Sequence, residues 1–374
     1  MATKIRKIGG FFNIKKYEDA RKNATSQLFF MNTLKQNNFD VLRFLLAFIV
    51  FLVHSYALTG VNDLAVLSRF FSSSLAVKAF FIVSGFLIFM SYENSSNAKS
   101  YFVKRAKRIY PAYFFVIIIS VILGGGISTY SLGDYFSISL LEYIFANLLF
   151  LNFIQPNLPG VFEGNQIEVI NGALWTLKVE VMFYLSVPLI VWAFNKFGRL
   201  PMIIGLYVCS VFYSVSMHML AVKTGSEFYL QLQRQLPGQF VYFISGAIGY
   251  YYFAWISKYA AKLMLLSIVV FIFQQWLPWL IIEPIALGMI VIYVARVMPY
   301  LGNFGKYGDF SYGIYIIHFP ILQLLASYTV FNANPWEMLF VTTLIILIGA
   351  FLLWHLVEKN FFQKSSHYIE VERI

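Results

Sequence analysis

Asp40-Val-Leu-Arg43-Phe-Leu-Leu-Ala-Phe-Ile-Val-Phe-Leu-Val-His54 carries charge at its start, an imidazole at its end and only apolar side chains between. Crossing the hydrocarbon core of a bilayer takes about 20 apolar residues at ~1.5 Å rise each. Continued to Leu58, this stretch has that length. Arg43 and His54 are eleven positions apart. At about 100° per residue they share a helix face to within about 20°, roughly 16 Å apart along the axis. An ionisable group inside a span costs about 2.5–3.5 kcal/mol on insertion scales, so each one needs a reason. Arg43 alone reads equally well as a side chain reaching for headgroups, and His54 alone as a packed core histidine. Together on one face they read as a polar path, cation at one end and titratable ring in the opposite half.

The remainder of the chain extends this composition. Of 374 residues 59% are hydrophobic and 12% charged, and mean hydropathy is +0.70. A soluble domain carries about 25% charged residues because its surface faces water. The 40 Phe and 25 Tyr suit bundle interfaces and headgroup belts. A net charge of +11 invites a nucleic-acid reading, but most Lys and Arg sit in short loops between apolar runs. That is the positive-inside pattern, with attraction to anionic membrane lipid; no nucleic acid is implied. The lone Cys209 excludes an intrachain disulfide and reads as a packing residue.

Apolar segments fall at approximately 40–58, 75–92, 109–127, 139–154, 174–194, 200–220, 239–256, 263–277, 280–298, 311–331 and 338–357. Basic clusters mark the N-terminal tail, the 93–108 loop, Lys196/Arg199, Lys258/Lys262, Lys306 and the C-terminal tail, whereas 124–138 and 155–173 hold no Lys or Arg. With both non-basic loops outside, 139–154 does not cross. Its Glu142, Asn147 and Asn152 also suit an element buried in protein. The expectation is an all-α transmembrane bundle of about ten spans plus one re-entrant or non-crossing helix. A basic tail (1–35) precedes a membrane domain (36–360) and a short tail (361–374), both termini being cytoplasmic. The N-terminal tail lacks a small-residue cleavage site and is not read as a signal peptide. An amphipathic element around Ile8–Ile14 is expected to lie on the membrane surface.

Four further segments carry polar groups into this setting. Phe80-Phe81-Ile-Val-Ser84-Gly85-Phe86 lets a neighbouring backbone approach and offers a hydroxyl, as ordinary helix packing also would. In Lys104-Arg105-Ala-Lys107-Arg108-Ile-Tyr110-Pro111 the two arginines share a face just before a proline able to start the third span. Two guanidinium forks at a helix end suit a phosphate-rich ligand, and topology alone also explains a basic cluster. Ala173-Leu174-Trp175-Thr-Leu-Lys178-Val-Glu180 brings a carboxylate to roughly the depth of His54, where it is a natural neighbour for the imidazole. An interfacial Glu180 paired to Lys178 is the plainer reading. Ser311, Tyr315 and His318 lie near one face at i, i+4, i+7, with His318 reading first as structural. His218, His355 and His367 have no comparable company.

These five segments, in this order, resemble the acyltransferase 3 family of integral-membrane acyltransferases over about residues 35–360. The resemblance rests on Asp40/Arg43…His54, Phe80–Phe86 with Ser84, Arg105…Arg108-Ile-Tyr-Pro111, Leu174-Trp175…Glu180 and Ser311-Tyr312-Gly-Ile-Tyr315…His318-Phe-Pro320. It implies an inner-membrane enzyme of about ten spans moving an acyl group, usually acetyl from acetyl-CoA, onto a hydroxyl of a surface or lipid-linked carbohydrate. Arg43, His54, Arg105, Arg108 and Glu180 then occupy functional positions, with Asp40, Ser84, Trp175, Tyr315 and His318 in support. Lys178 departs from the small residue common in the family, and no appended SGNH-type hydrolase domain is present. On this reading Arg43, Arg105 and Arg108 meet the anionic donor. His54 accepts a hydroxyl proton or carries the acyl group itself, and Glu180 orients the ring. Ser84 or Tyr315 stabilises the oxyanion. No permanently bound cofactor is implied, and no metal, since no cluster has ligand spacing. A transporter or flippase for a glycan or anionic metabolite is the competing class. The oligomeric state is left open.

Overall fold

The computed structural model describes residues 37–362. The basic tail (1–35), its amphipathic element and nearly all of 361–374 lie outside the described residues. Helices account for all regular structure among them. The principal ones are α1 (Phe39–Thr59), α2 (Ser73–Glu93), α3 (Ala98–Ile127), α4 (Ile138–Leu148), α5 (Trp175–Phe197) and α6 (Arg199–Thr224). They continue as α7 (Leu236–Tyr251), α8 (Ala260–Ile272), α9 (Trp279–Ile292), α10 (Phe310–Ser327) and α11 (Pro335–Leu353). A π-turn extends α9 to Val297, and another extends α11 to Glu358.

Local chemistry sets the helix ends. Ser72 caps α2 by accepting from the Leu75 N–H (3.2 Å), and Asn97 caps α3 through the Ser100 N–H (2.8 Å). Gly60, at φ 68°, closes α1 with its N–H on the Tyr56 carbonyl (2.9 Å). The third span does not start at Pro111. Asn97 nucleates it a turn beyond Glu93, and α3 runs through the proline, with the Tyr312 hydroxyl donating to the nearby Ile109 carbonyl (2.9 Å). Arg105 and Arg108 therefore belong to a continuous helix, not to a loop before it.

Hydrogen bonds and ion pairs show which helix ends meet. At one end Asn38 donates to the Val294 and Pro299 carbonyls, the Tyr250 and Tyr251 hydroxyls donate to Glu93, and Arg108 approaches Glu358 at 3.7 Å. Because Lys and Arg gather there, we call it the basic end. At the other end Ser128 Oγ donates to the Pro159 carbonyl (2.8 Å), the Thr129 N–H to Gly160 (2.9 Å) and Asn165 to Gln323 (2.9 Å). Thus α1, α3, α6, α8 and α10 leave the basic end while α2, α5, α7, α9 and α11 return to it. Eight helices among the described residues are long and apolar enough to cross unaided; the shorter α7 and α8, at 16 and 13 residues, run between the same two ends of the bundle. The 11-residue α4, roughly 16 Å long, falls short of a ~30 Å hydrocarbon core. It dips in from the far end alongside α3, where the Tyr113 hydroxyl in the middle of α3 donates to the Asn147 carbonyl (2.7 Å). The chain then turns back so that Gln155 bonds Ser139 (2.7 Å) without α4 crossing. Its Asn147 is buried, donating to the Tyr143 and Gln155 carbonyls (2.8 and 2.9 Å).

The core of the bundle is the α2–α7 crossing. A Cβ on Gly85 would meet the Phe243 carbonyl oxygen at 2.0 Å, and one on Gly246 would meet the Ile82 oxygen at 2.0 Å, so backbone packs directly on backbone. Around it Phe183 stacks on Phe243 at 4.3 Å, and Phe81 and Phe89 close the sides. A second tie is a partly buried ion pair between residues that no motif singles out. Lys78 Nζ lies 2.9 Å from both carboxylate oxygens of Glu283, and the Tyr242 hydroxyl donates to the same group (3.0 Å). One charge of each sign in two otherwise apolar segments was the available signal.

Gly85→Ala and Gly246→Ala are expected to lower the yield of monodisperse protein after solubilisation, although Ala favours a helix over Gly by about 1 kcal/mol. Gly205→Ala, whose new Cβ meets nothing within 4 Å, is the control expected to retain it. Topology is checked in a Cys209→Ser background with single cysteines at Ser131 and Asn157. A membrane-impermeant thiol reagent is expected to reach both from the same side in intact cells, and labelling from opposite sides would mean that α4 crosses.

Candidate functional site

At the basic end, α10 begins at Asp309. Its Oδ1 accepts from the Ser311 N–H (3.1 Å) and hydroxyl, capping the helix. Its Oδ2 accepts from both Arg43 of α1 and Arg108 of α3. The carboxylate is 2% exposed, so two cations and one anion from three helices meet away from water. A buried carboxylate of this kind is strongly stabilising relative to its removal, about 3–5 kcal/mol, because the charges left behind have no partner. Asp309 was missed in the sequence. The signal was there, an acidic residue directly before the Phe310-Ser311 helix start. Of the two forks expected on α3, Arg108 is thus not open, and neither is Arg43 on α1. Arg105 is held differently, with one nitrogen on Ser91 Oγ (3.2 Å) and its guanidinium 5.9 Å from the Tyr184 ring. Asp40 stands in the first turn of α1, and the carboxylate that holds Arg43 is Asp309.

A small cavity of about 50 Å³ sits above this cluster, room for one or two water molecules. Arg43, Ser84, Thr176, Glu180, Ser311 and Tyr315 line it, with Phe80, Phe81 and Tyr312 among the apolar and aromatic walls. Glu180 Oε1 accepts from Ser84 Oγ (3.1 Å) and from the Tyr184 hydroxyl (2.6 Å), and the Tyr315 and Thr176 hydroxyls share a bond of 2.7 Å. Trp175 is half-buried against the apolar core beside this group, and Lys178 lies over the Phe153 ring (4.4 Å) instead of pairing with Glu180.

The expected pairing of Glu180 with His54 is replaced by another. His54 Nδ1 lies 2.9 Å from His318 Nε2, and the rings stack at 5.1 Å. The reason is depth. The 155–171 loop dips into the bundle, where Asn171 donates to the Ile316 carbonyl (2.8 Å) and Thr176 meets Tyr315. Helix α5 therefore starts level with the middle of α10. Glu180, a further turn in, lies beside Ser311, and seven residues of rise put His318 roughly 10 Å away from that level.

The His54–His318 geometry fixes proton positions. His318, fully buried, has its Nδ1 3.1 Å from the Ile314 carbonyl, which can only accept. That nitrogen carries the hydrogen, so in the neutral ring Nε2 is the acceptor. His54 must then donate from Nδ1, which leaves its Nε2 with a lone pair. A neutral imidazole held in one tautomer by a second ring is suited to accept a proton or attack an acyl carbon. The sequence placed His318 on the polar face, but nothing in it paired the two rings. A polar column thus runs from Asp309 with its arginines, past Glu180 and Tyr315, to the histidine pair.

An acyltransferase-domain family model matches residues 36–355. An O-acetyl transferase of Shigella phage Sf6 is 26% identical over 341 residues, covering 89% of this chain and 98% of that one. Nodulation protein 10 of Rhizobium leguminosarum bv. viciae is 25% identical over 355 residues, with 87% and 92% coverage. A putative acetyltransferase of Acidianus two-tailed virus is 26% identical over 275 residues, with 69% and 76% coverage. No solved structure matches the chain. The match covers α1 through α11 and every residue of the polar column, and on it the chain belongs to the acyltransferase 3 family of membrane acyltransferases.

Proposed function

We propose that the chain transfers an acyl group, acetyl foremost, from acyl-CoA to a carbohydrate hydroxyl, with His54 at the centre of the chemistry. The observation that carries this reading is the His54–His318 pair, which frees one nitrogen of a half-buried imidazole at the far end of a polar column. In this reading the basic end faces the cytoplasm, as the Lys and Arg clusters of its loops favour. There Arg105, with Lys104 and Lys107 on the same turn of α3, receives the phosphates of the donor. Arg43 and Arg108, fixed by Asp309, hold the entrance and add a smaller share of positive field.

At His54 the acceptor oxygen attacks the thioester carbon while Nε2 takes its proton. The C–S bond then breaks, and the thiolate leaves with that proton as free CoA thiol. The same lone pair also suits a two-step route, in which Nε2 attacks the thioester carbon and expels the CoA thiolate. The sugar hydroxyl then attacks the acyl-imidazole carbon, breaking the C–N bond and returning the lone pair to Nε2, while the hydroxyl proton ends on the CoA thiolate. Ser84 and Tyr315 already bond within the column, to Glu180 and Thr176, so either hydroxyl must turn to reach an oxyanion. Glu180 orders the middle of the column through Ser84 and Tyr184.

His54→Ala is expected to abolish glycan acylation in cells while membrane-inserted protein stays at the wild-type level, read by mass spectrometry of surface glycans beside immunoblotting. At His318, Gln keeps an acceptor near the position of Nε2, and Phe does not. His318→Gln is expected to retain several-fold more kcat than His318→Phe at similar yield, and equal loss in both would reduce His318 to a packing role.

The donor site is tested by Arg105→Lys with acceptor saturating. A charge-assisted hydrogen bond is worth about 1.5–3 kcal/mol. At a tenfold change per 1.4 kcal/mol, the donor KM is expected to rise roughly ten- to a hundredfold with kcat little changed. A wild-type donor KM in a normally inserted variant would make Arg105 a topology signal.

A further inference from the structure

Two hollows outside the polar column meet along one short segment. The first is an apolar groove of about 770 Å³ between α3, α10 and α11, walled by side chains such as Ile122, Leu123, Ile317, Ile321, Leu352 and Leu356. Ile122 and Leu356 are 63% and 68% exposed, so the groove opens toward the lipid side of the bundle. It follows α3 for roughly 18 Å, from Phe115 to Ile127, up to the far end. The second is a polar cleft of about 890 Å³ at that far end, lined by Tyr130, Ser131, Asp134, Gln155, Asn157 and Glu163 among others.

The segment 158–163 forms the common wall. Leu158 and Glu163 face the cleft, and Val161 and Phe162 face the groove. The backbone of this wall is itself unusual. Gly160 has φ 67° and Phe162 φ 61°, and a non-glycine residue in that region holds strain that surrounding structure must maintain. Gly160 also has no room for a side chain, since a Cβ would meet Ser128 Oγ at 2.5 Å. Inside the bundle the same loop clamps α10, with Asn165 on Gln323 and Asn171 on the carbonyl of Ile316, the residue before the groove-lining Ile317 and two before His318.

Hydroxyl, amide and carboxylate groups with one aromatic ring are the partners of a sugar's hydroxyls and its C–H face. Residues 128–171 contain no Lys or Arg, while Asp134 and Glu163 line the cleft, so a phosphorylated head would meet only like charge. We propose that the groove and cleft together bind a glycolipid with an uncharged saccharide head, its chain in the groove and its head in the cleft. This deepens the acyl-transfer reading, on which it rests, by having the acceptor enter from the plane of the membrane.

The test uses the full chain in phosphatidylcholine nanodiscs with a hexadecyl β-glucoside carrying a diazirine in its chain. After irradiation and peptide mass spectrometry, labels are expected on the 115–127, 317–324 and 349–356 segments. Unlabelled hexadecyl glucoside should displace them, and hexadecyl phosphate should not. Gly126 lines the groove and a Cβ there meets nothing within 4 Å, so a side chain can be added at this position, and Gly126→Trp should cut labelling at least fivefold. Asp134→Ala with Asn157→Ala should weaken displacement by the glucoside severalfold. Labelling spread evenly over all lipid-facing helices, or displaced equally by the phosphate, would overturn the proposal and leave the groove to annular lipid. Labelling needs no acyl donor. A chain that labels as expected yet transfers no acyl group supports this site and overturns the reaction instead.

Discussion

The carboxylate of Asp309 does two things at once. It caps α10 and it gathers the guanidinium groups of Arg43 and Arg108. A buried charge is tolerated only when paired, and here the pairing joins α1, α3 and α10, with Glu358 beyond α11 beside Arg108. Because the cap fixes where α10 begins, it also fixes the register of everything above it. Ser311, Tyr315 and His318 follow at one and two turns, and α1, tied at Arg43, brings His54 level with His318. The histidine pair is thus set from the opposite end of the membrane.

The far end is organised by polar backbone that lies within protein. Between α3 and α5 the chain makes the short α4 and then a loop that descends into the bundle, satisfied by Gln323, Ile316 and the Pro156–Ile170 backbone bond. Such irregular backbone at membrane depth survives only where protein partners take up its hydrogen bonds. Its descent starts α5 deep, which carries Glu180 to the level of Ser84 and Ser311 and leaves His318 as the partner of His54.

Ion pairs distribute unevenly through this bundle. The Asp309 cluster lies on the polar column, while Lys78, Glu283 and Tyr242 join α2, α7 and α9 away from it. Both follow from the same cost of an unpaired charge in a low-dielectric interior, and the first sits beside a cavity lined by hydroxyl-bearing residues and Glu180. Charge inside a span therefore marks a need for a partner first, and a site only when space adjoins it.

Length, apolar periodicity and the placement of Lys and Arg were enough to read an all-helical membrane bundle of about ten passes, with 139–154 failing to cross. Those properties act residue by residue against the bilayer. Five motifs in order also carried the family, and the shared face of Arg43 and His54 was legible because helix geometry alone sets it. What the sequence left open were contacts between segments far apart in the chain. Asp309 lies 266 positions from Arg43, and His318 264 from His54. No local pattern relates such residues; their meeting depends on where each helix starts relative to its neighbours. That offset came from a capping carboxylate at one end and a dipping loop at the other. Tertiary structure alone decided that Glu180 serves Ser84 and Tyr184, and that the imidazole of His54 is oriented by a second imidazole.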